Sequence, residues 1–117
     1  NACIPAGSLL TDGINEMTKK GLGAVSVVDA QGKLCGIITD GDLRRAMQRG
    51  MDIYKNKVDD VMSQTPRSVP EEMLAVEALK IMEKGEQKFS VVPVVDRQGR
   101  PVGMVRNHDI LQQNIFL

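Results

Sequence analysis

Apolar residues recur at Leu10, Ile14 and Met17 and again at Ala75, Leu79 and Met82, spaced i, i+4, i+7, which lays one apolar stripe along a helix in each place. Each stripe is followed by a glycine, Gly21 or Gly85, the residue that best tolerates the left-handed backbone of a helix stop. The period then changes. Val25-Ser26-Val27-Val28 and Val91-Val92-Pro93-Val94-Val95 are short β-branched runs, each ending in Asp-x-Gln-Gly before another apolar run, so a hairpin is predicted in each place. The second strand of each hairpin feeds a short helix, Asp42 to Arg49 with Gly50 as its stop, and Asp109 to Gln113. A short strand stands in front of each set, at Ile4-Pro5 and Val69-Pro70.

The two halves are copies of one unit. VVDAQGKLCGIITDGDL, Val27 to Leu43, aligns with VVDRQGRPVGMVRNHDI, Val94 to Ile110; Asp29 and Asp96, Gly32 and Gly99, Gly36 and Gly103, Asp42 and Asp109 are each 67 residues apart. Upstream the offset is 65, as between Leu9 and Leu74 or Met17 and Met82, so two residues are inserted in the second copy between Met82 and Asp96. The predicted fold class is mixed α/β (α+β): two β-α-β-β-α units packed with pseudo-two-fold symmetry. The second copy has a lead-in, Val58-Asp59-Asp60-Val61-Met62 followed by Thr65-Pro66-Arg67-Ser68-Val69, whose counterpart would fall before Asn1. The first unit is therefore read as clipped at its N-terminus and the chain as a piece of a longer protein, with units at 1–50 and 58–117 and a linker at 51–57. Gly13 interrupts the first helical stripe at a cost of about 1 kcal/mol relative to Ala. It predicts either a close backbone approach or a helix weaker than its partner.

Composition narrows the class. With 117 residues, 42% of them hydrophobic, the chain can bury one ordinary core but not two large independent ones. Fifteen Lys+Arg balance 15 Asp+Glu, so no bulk field draws it to nucleic acid or to an acidic membrane. Arg44, Arg45 and Arg49 lie opposite Leu43, Ala46 and Met47 on the predicted helix and are read as a solvated face. No apolar run approaches the roughly 18 to 20 residues of a membrane span, and no basic-then-apolar leader opens the chain. Cys3 and Cys35 sit in apolar, strand-like contexts that suit reduced, buried thiols, which favours the cytoplasm. One histidine, His108, cannot build a zinc site with two distant cysteines. Asp40 and Asp42 are the only close carboxylate pair, with no base or nucleophile beside them, and neither Ser26 nor Ser90 sits in a nucleophile elbow. No catalytic residue, metal or cofactor is expected.

The chemistry concentrates in GIITDGDLRRAM, Gly36 to Met47, where a strand meets a helix. Thr39 with Asp42 three residues on has the form of a capping box, worth about 1 kcal/mol and needing no ligand. The junction recurs at Arg106-Asn107-His108-Asp109, where the Asp returns but the hydroxyl does not; a pure cap would keep both. A helix N-terminus also offers free N–H groups to an anion, a hydroxyl adds a donor, and a carboxylate accepts from a sugar diol. Together they suit a nucleotide or sugar nucleotide.

Two copies of strand, helix, hairpin and helix, each with Gly-h-h-x-x-x-Asp-h (h apolar) at the last junction, resemble a tandem pair of cystathionine β-synthase (CBS) motifs, or Bateman module. Thr39-Asp40-Gly41-Asp42 matches that family's Ser/Thr-x-x-Asp nucleotide signature. More narrowly, GIITDGDLRRAM, VDDVMSQTPRSV and LAVEALKIME resemble the C-terminal regulatory region of bacterial arabinose-5-phosphate isomerases that join a sugar-isomerase (SIS) domain to a CBS pair. Those enzymes interconvert ribulose 5-phosphate and arabinose 5-phosphate for Kdo, an acidic sugar of lipopolysaccharide. They usually carry His-x-His-Asp-Leu-Leu in the second copy; here only His108, Asp109 and Leu111 match, and Arg106 replaces the first histidine.

The resemblance implies a regulatory module with ligand-binding residues Thr39, Asp42, Asp40 and Ile4 and a second site at Ser68, Arg106, His108 and Asp109. It implies a small-molecule ligand, an adenine nucleotide or an end product such as CMP-Kdo. The implied partners are a second copy of the module and the SIS domain of the parent chain, with no nucleic acid and no membrane. Two other readings remain open: a ligand-free dimerisation module, and the CBS pair of a sugar-nucleotidyltransferase.

Overall fold

The computed structural model describes residues 1–64, 66–72 and 91–106. The chain divides into two compact units, one running from Ala2 to Pro66 and one that begins at Arg67 and includes Asn1. Each unit holds a small mixed sheet.

In the first unit, β1 (Cys3–Pro5) leads to α1 (Leu10–Lys20), β2 (Ala24–Val28), β3 (Leu34–Thr39) and α2 (Asp40–Gln48). β1 pairs parallel to β2, and β2 pairs antiparallel to β3, in the order β1-β2-β3. The α1 stripe works as its spacing predicts, burying Leu10 and Met17, with Asp12 in the first turn and Lys19 and Lys20 in the last, each on the side of the helix dipole that favours it. Gly21 closes α1 in the left-handed conformation at φ 67°, and its N–H donates to the Met17 carbonyl.

Gly13 is buried because Val58 comes to it: a Cβ there would lie 2.9 Å from Val58 Cγ1. The close approach predicted as one alternative is the one realised. α2 begins two residues before the predicted Asp42, with Thr39 as its N-cap, and ends at Gln48, one residue before the predicted Arg49, which is its C-cap, with Gly50 at φ 80° just beyond. Of its apolar residues Ala46 is buried, Leu43 is half-buried and Met47 is 56% exposed.

Cross-strand partners share a sheet face, and so do residues two apart along a strand. Ile4, Val25, Val27 and Ile38 therefore lie on one face; Cys3, Ser26, Ile37, Ala24 and Thr39 lie on the other. Val25, Val27, Ile38 and Leu10 have no exposed surface, each contributing roughly 1.5 to 3 kcal/mol by burial. Ser26 is equally buried, and among the described residues its hydroxyl has no hydrogen-bond partner.

The second unit shows β4 (Val69–Pro70), β5 (Val91–Val95) and β6 (Pro101–Arg106) in the order β4-β5-β6, again one parallel and one antiparallel pairing. The helix predicted over Ala75, Leu79 and Met82 and the one from Asp109 to Gln113 lie outside the described residues. The Asp-x-Gln-Gly turns are built identically. Asp29 Oδ1 accepts from the N–H groups of Gln31 and Lys33 at 2.9 and 3.0 Å, and Asp96 Oδ1 accepts from those of Gln98 and Arg100, both at 2.9 Å. Gly32 and Gly99 sit at φ 79° and 80°, where a side chain would be strained.

One difference between the copies has a clear cause. Ser26 N–H donates to the Ala2 carbonyl at 2.9 Å, and β1 starts opposite it at Cys3. The equivalent of Ser26 is Pro93, which has no N–H to give, and β4 starts one residue later, at Val69, leaving Ser68 outside the ladder.

The segment Lys57 to Ser63 is fastened to the first unit. Val58–Asp60 forms a 3₁₀ turn; Val58 N–H donates to Ser8 O at 3.0 Å, Leu10 N–H to Asn56 O at 2.9 Å, and Gly7 N–H to Asp59 Oδ1 at 2.7 Å. Ser63 then pairs with the outer edge of β3, exchanging N–H and carbonyl with Ile37 at 2.9 and 3.2 Å. Gly36 makes room for this strap: a Cβ there would collide with Met62 Sδ and lie 3.2 Å from Ser63 O.

Candidate functional site

The junction of β3 and α2 brings Thr39, Asp40, Gly41, Asp42 and Arg45 together. Thr39 ends the strand in extended conformation, and its Oγ1 accepts from Asp42 N–H at 3.2 Å. Asp42 Oδ2 reaches back to accept from the Thr39 N–H at 2.9 Å and the Thr39 hydroxyl at 3.0 Å. The capping box is complete. Its other oxygen, Oδ1, accepts from Arg45 Nη2 at 2.7 Å, and the Asp42 side chain is only 13% exposed. Such an N⁺–H···O⁻ bond between groups of opposite charge is of the short, strong kind, although the 60% exposure of Arg45 screens it.

The backbone donors of the helix end are partly spoken for. Asp40 N–H donates to Gly23 O at 3.1 Å, and Asp42 N–H goes to Thr39; among the described residues Gly41 N–H has no partner. A Cβ on Gly41 would lie 3.3 Å from Arg45 Nη1, so the guanidinium lies close against the first turn of α2 at Gly41. One free donor and one cation thus stand beside a hydroxyl and a carboxylate.

The other predicted site residues are placed as follows. Asp40 is exposed and turns toward Gly23, where it helps line a cleft of about 260 Å³ with Ile14, Met17, Thr18, Gly21 and Leu43; Thr39 and Asp42 do not line it. Ile4 is buried on β1, paired with Val27 on the sheet face opposite Thr39 and separated from β3 by β2. Ser68, half-buried, precedes β4, and Arg106 ends β6 opposite Val91, so β5 lies between them. His108 and Asp109 lie outside the described residues.

Arg45 is the site residue that the sequence analysis does not single out: it is 60% exposed, as a solvated face requires, and its i, i+3 spacing from Asp42 is one at which opposite charges meet on a helix. Among the described residues no cluster of three or more His, Cys, Asp or Glu could hold a metal ion, and no helix is long and apolar enough to cross a membrane. Cys3 and Cys35 are free thiols, and burial, then the charges of Asp29 and Asp59, push the Cys35 thiol above its ordinary value.

The CBS domain family model matches residues 2–49 and 58–114. Arabinose 5-phosphate isomerase KdsD of Pseudomonas aeruginosa is 49% identical over 110 residues, covering 94% of this chain and 33% of that enzyme. The KdsD of Yersinia pestis is 37% identical over 106 residues, covering 91% of this chain and 31% of the enzyme. The chain thus spans about a third of the length of these relatives. Among solved structures, the CBS domain pair of protein MJ0100 in complex with 5'-methylthioadenosine and S-adenosyl-L-methionine superposes with a TM-score of 0.82 at 26% identity, covering 96% of this chain and 86% of that one. CBSX2 of Arabidopsis thaliana shares the fold with a TM-score of 0.75 at 22% identity, covering 95% of this chain and 83% of that one. Matched twice over by one family model, the chain belongs to the CBS domain family as a tandem pair.

Proposed function

We propose that this CBS pair is the regulatory module of an arabinose-5-phosphate isomerase and binds a nucleotide or sugar nucleotide at the β3–α2 junction. The observation that carries this reading is the grouping of the Thr39 hydroxyl, the Asp42 carboxylate, the unpartnered Gly41 N–H and the Arg45 guanidinium at one helix end. A ribose or sugar diol donates to Asp42 Oδ1 in place of Arg45. The released guanidinium and the Gly41 N–H then meet phosphate oxygens at the positive end of α2. The ligand is an adenine nucleotide or an end-product sugar nucleotide such as CMP-Kdo. The MJ0100 pair with its two adenosine-containing ligands supports the first, and the isomerase relatives support the second.

In this reading the chain performs no catalysis itself and works in the cytoplasm with an SIS domain and a second copy of the module. The motifs occupy 1–50 and 58–117, joined by 51–57. The second site uses Ser68, Arg106, His108 and Asp109. Asp40 and Ile4 complete the proposed ligand-binding set, Asp40 from its place beside Gly23 and Ile4 only through the sheet, since it lies on the opposite face from Thr39.

A ligand-free scaffold is the rival reading, favoured by one observation: both Asp42 oxygens already have partners within the chain. Thermal denaturation against AMP, ADP, ATP and CMP-Kdo separates the two. A ligand at a hundred times its Kd stabilises the fold by about 2.7 kcal/mol and raises the melting temperature. A flat response to all four at millimolar concentration supports the scaffold. Turnover of arabinose 5-phosphate by the purified chain would overturn the assignment of catalysis to another domain.

A further inference from the structure

The strap on the first unit has no described counterpart on the second, and the repeat says where one belongs. Ser63 pairs with Ile37 on the outer edge of β3. With the 67-residue offset, Ile37 corresponds to Met104 on β6, and Met104 is opposite Pro93 as Ile37 is opposite Ser26. Ile37 gives its N–H and carbonyl to Ser63, away from β2, so the same register points the Met104 N–H and carbonyl away from β5. Among the described residues neither has a hydrogen-bond partner, although Met104 has no exposed surface. Buried backbone groups are seldom left in that state.

The occupant is indicated by Asn1. It belongs to the second unit, where its side-chain Nδ2 donates to the Pro101 carbonyl at 2.9 Å, at the start of β6. The strap on β3 runs antiparallel to its edge. That bond places the chain at Asn1 beside the start of β6, so residues preceding it are within reach of the edge. The repeat supplies the register: Ser63 less the 65-residue offset is the residue three before Asn1, which sets that residue level with Met104.

We propose that the outer edge of β6 at Met104 is the docking site for the polypeptide that leads into Asn1 from an upstream domain, as an antiparallel strand exchanging N–H and carbonyl with Met104. The two units would then be strapped reciprocally, the second by the chain entering the module and the first by the chain between the motifs. Movement of an upstream domain would pull directly on the sheet of the second motif. The recognition is main-chain and requires a residue with an N–H at that position.

Amide hydrogen exchange tests this in two proteins. One is the present chain. The other carries about ten residues of its parent's upstream sequence, enough to span the edge. The extension slows exchange at Met104 by about tenfold, the scale of one net hydrogen bond, while the Ile37 amide is slow in both because Ser63 is present in both. Proline placed three residues before Asn1 in the extended protein returns Met104 to the unextended rate. Equal Met104 exchange with and without the extension overturns the proposal, as does protection that survives the proline. Protection that instead grows with concentration of the unextended chain overturns it in favour of a second copy.

Discussion

Substituting Gly13 by Ala sets two effects of opposite sign against each other. In an exposed helix interior the change stabilises by about 1 kcal/mol. Here the new Cβ would stand 2.9 Å from Val58 Cγ1, when carbon atoms pack best at roughly 3.5 to 4.0 Å. Val58 cannot easily yield: it is fully buried, its backbone N–H is tied to Ser8, and its carbonyl accepts from Met62 at 3.0 Å. Its branched side chain has few rotamers to escape into. Overpacking of this kind costs about 1 to 3 kcal/mol, so Gly13→Ala is expected to be neutral to destabilising, by up to about 2 kcal/mol net.

Val58→Ala alone costs about 2 kcal/mol by emptying the space. In that background Gly13→Ala should change sign and stabilise by about 1 kcal/mol, because the obstacle is gone and the helix preference remains. The coupling between the two is then about 2 kcal/mol, well beyond the few tenths expected of independent sites. Urea unfolding of the four proteins measures it from the midpoints, with the slope checked for constancy. Gly13→Ala stabilising the wild type, or acting with one sign in both backgrounds, would refute the argument that the strap holds Gly13 in place.

Ser26→Ala removes a hydroxyl that is buried with no partner among the described residues and should raise stability by about 1 kcal/mol, read from the same urea midpoint; a loss of that size would mean the hydroxyl is bonded in solution. Cys35, its thiol pushed above the ordinary value of 9.0 by burial and by Asp29 and Asp59, should alkylate with iodoacetamide more slowly at pH 8 than free cysteine, with a pH midpoint displaced upward. Because the folded thiol holds its proton more tightly than the unfolded one, the associated stability is full below pH 9.0 and is lost as the pH rises through the folded value. Asp29→Asn should bring the alkylation midpoint part of the way back down, and an unchanged midpoint would leave burial as the whole cause.

The local chemistry of the chain was legible because short spacings carry it. The Leu10–Ile14–Met17 stripe, Gly21 as a stop and the twin Asp-x-Gln-Gly turns all depend on neighbours within a few residues, and each is where its spacing put it. The capping box was legible for the same reason, as a three-residue reach. What stayed hidden depends on contacts between distant positions. Nothing in the periodicity of Lys57 to Ser63 says that it crosses back to Ser8, Leu10 and Ile37, and only Gly13 hinted at it, by being too small for its helix. The face on which Ile4 sits follows from its pairing with Val27, across a helix and a turn, so sequence could place it near the junction but not on a side of the sheet. Asp42 was read as either a cap or a ligand group. The structure shows the cap formed, with Arg45 on the remaining oxygen, so a ligand must displace an existing bond rather than fill a vacant one.

That displacement makes the Asp42 carboxylate the place to test the account. Asp42→Asn leaves a side chain of the same shape whose Oδ1 can still accept from the Thr39 N–H, but whose amide presents donors to Arg45 or to a sugar diol where an acceptor is needed. Isothermal titration at 15 °C of the wild type and Asp42→Asn, with whichever nucleotide raises the melting temperature most, measures the difference directly. Loss of hydrogen bonds to a charged group is worth roughly 1.5 to 3 kcal/mol, so the account predicts a Kd weaker by about tenfold to somewhat over a hundredfold in Asp42→Asn. The circular dichroism spectrum should show both proteins folded at that temperature. An Asp42→Asn protein that remains folded and binds the nucleotide with the wild-type Kd would contradict it.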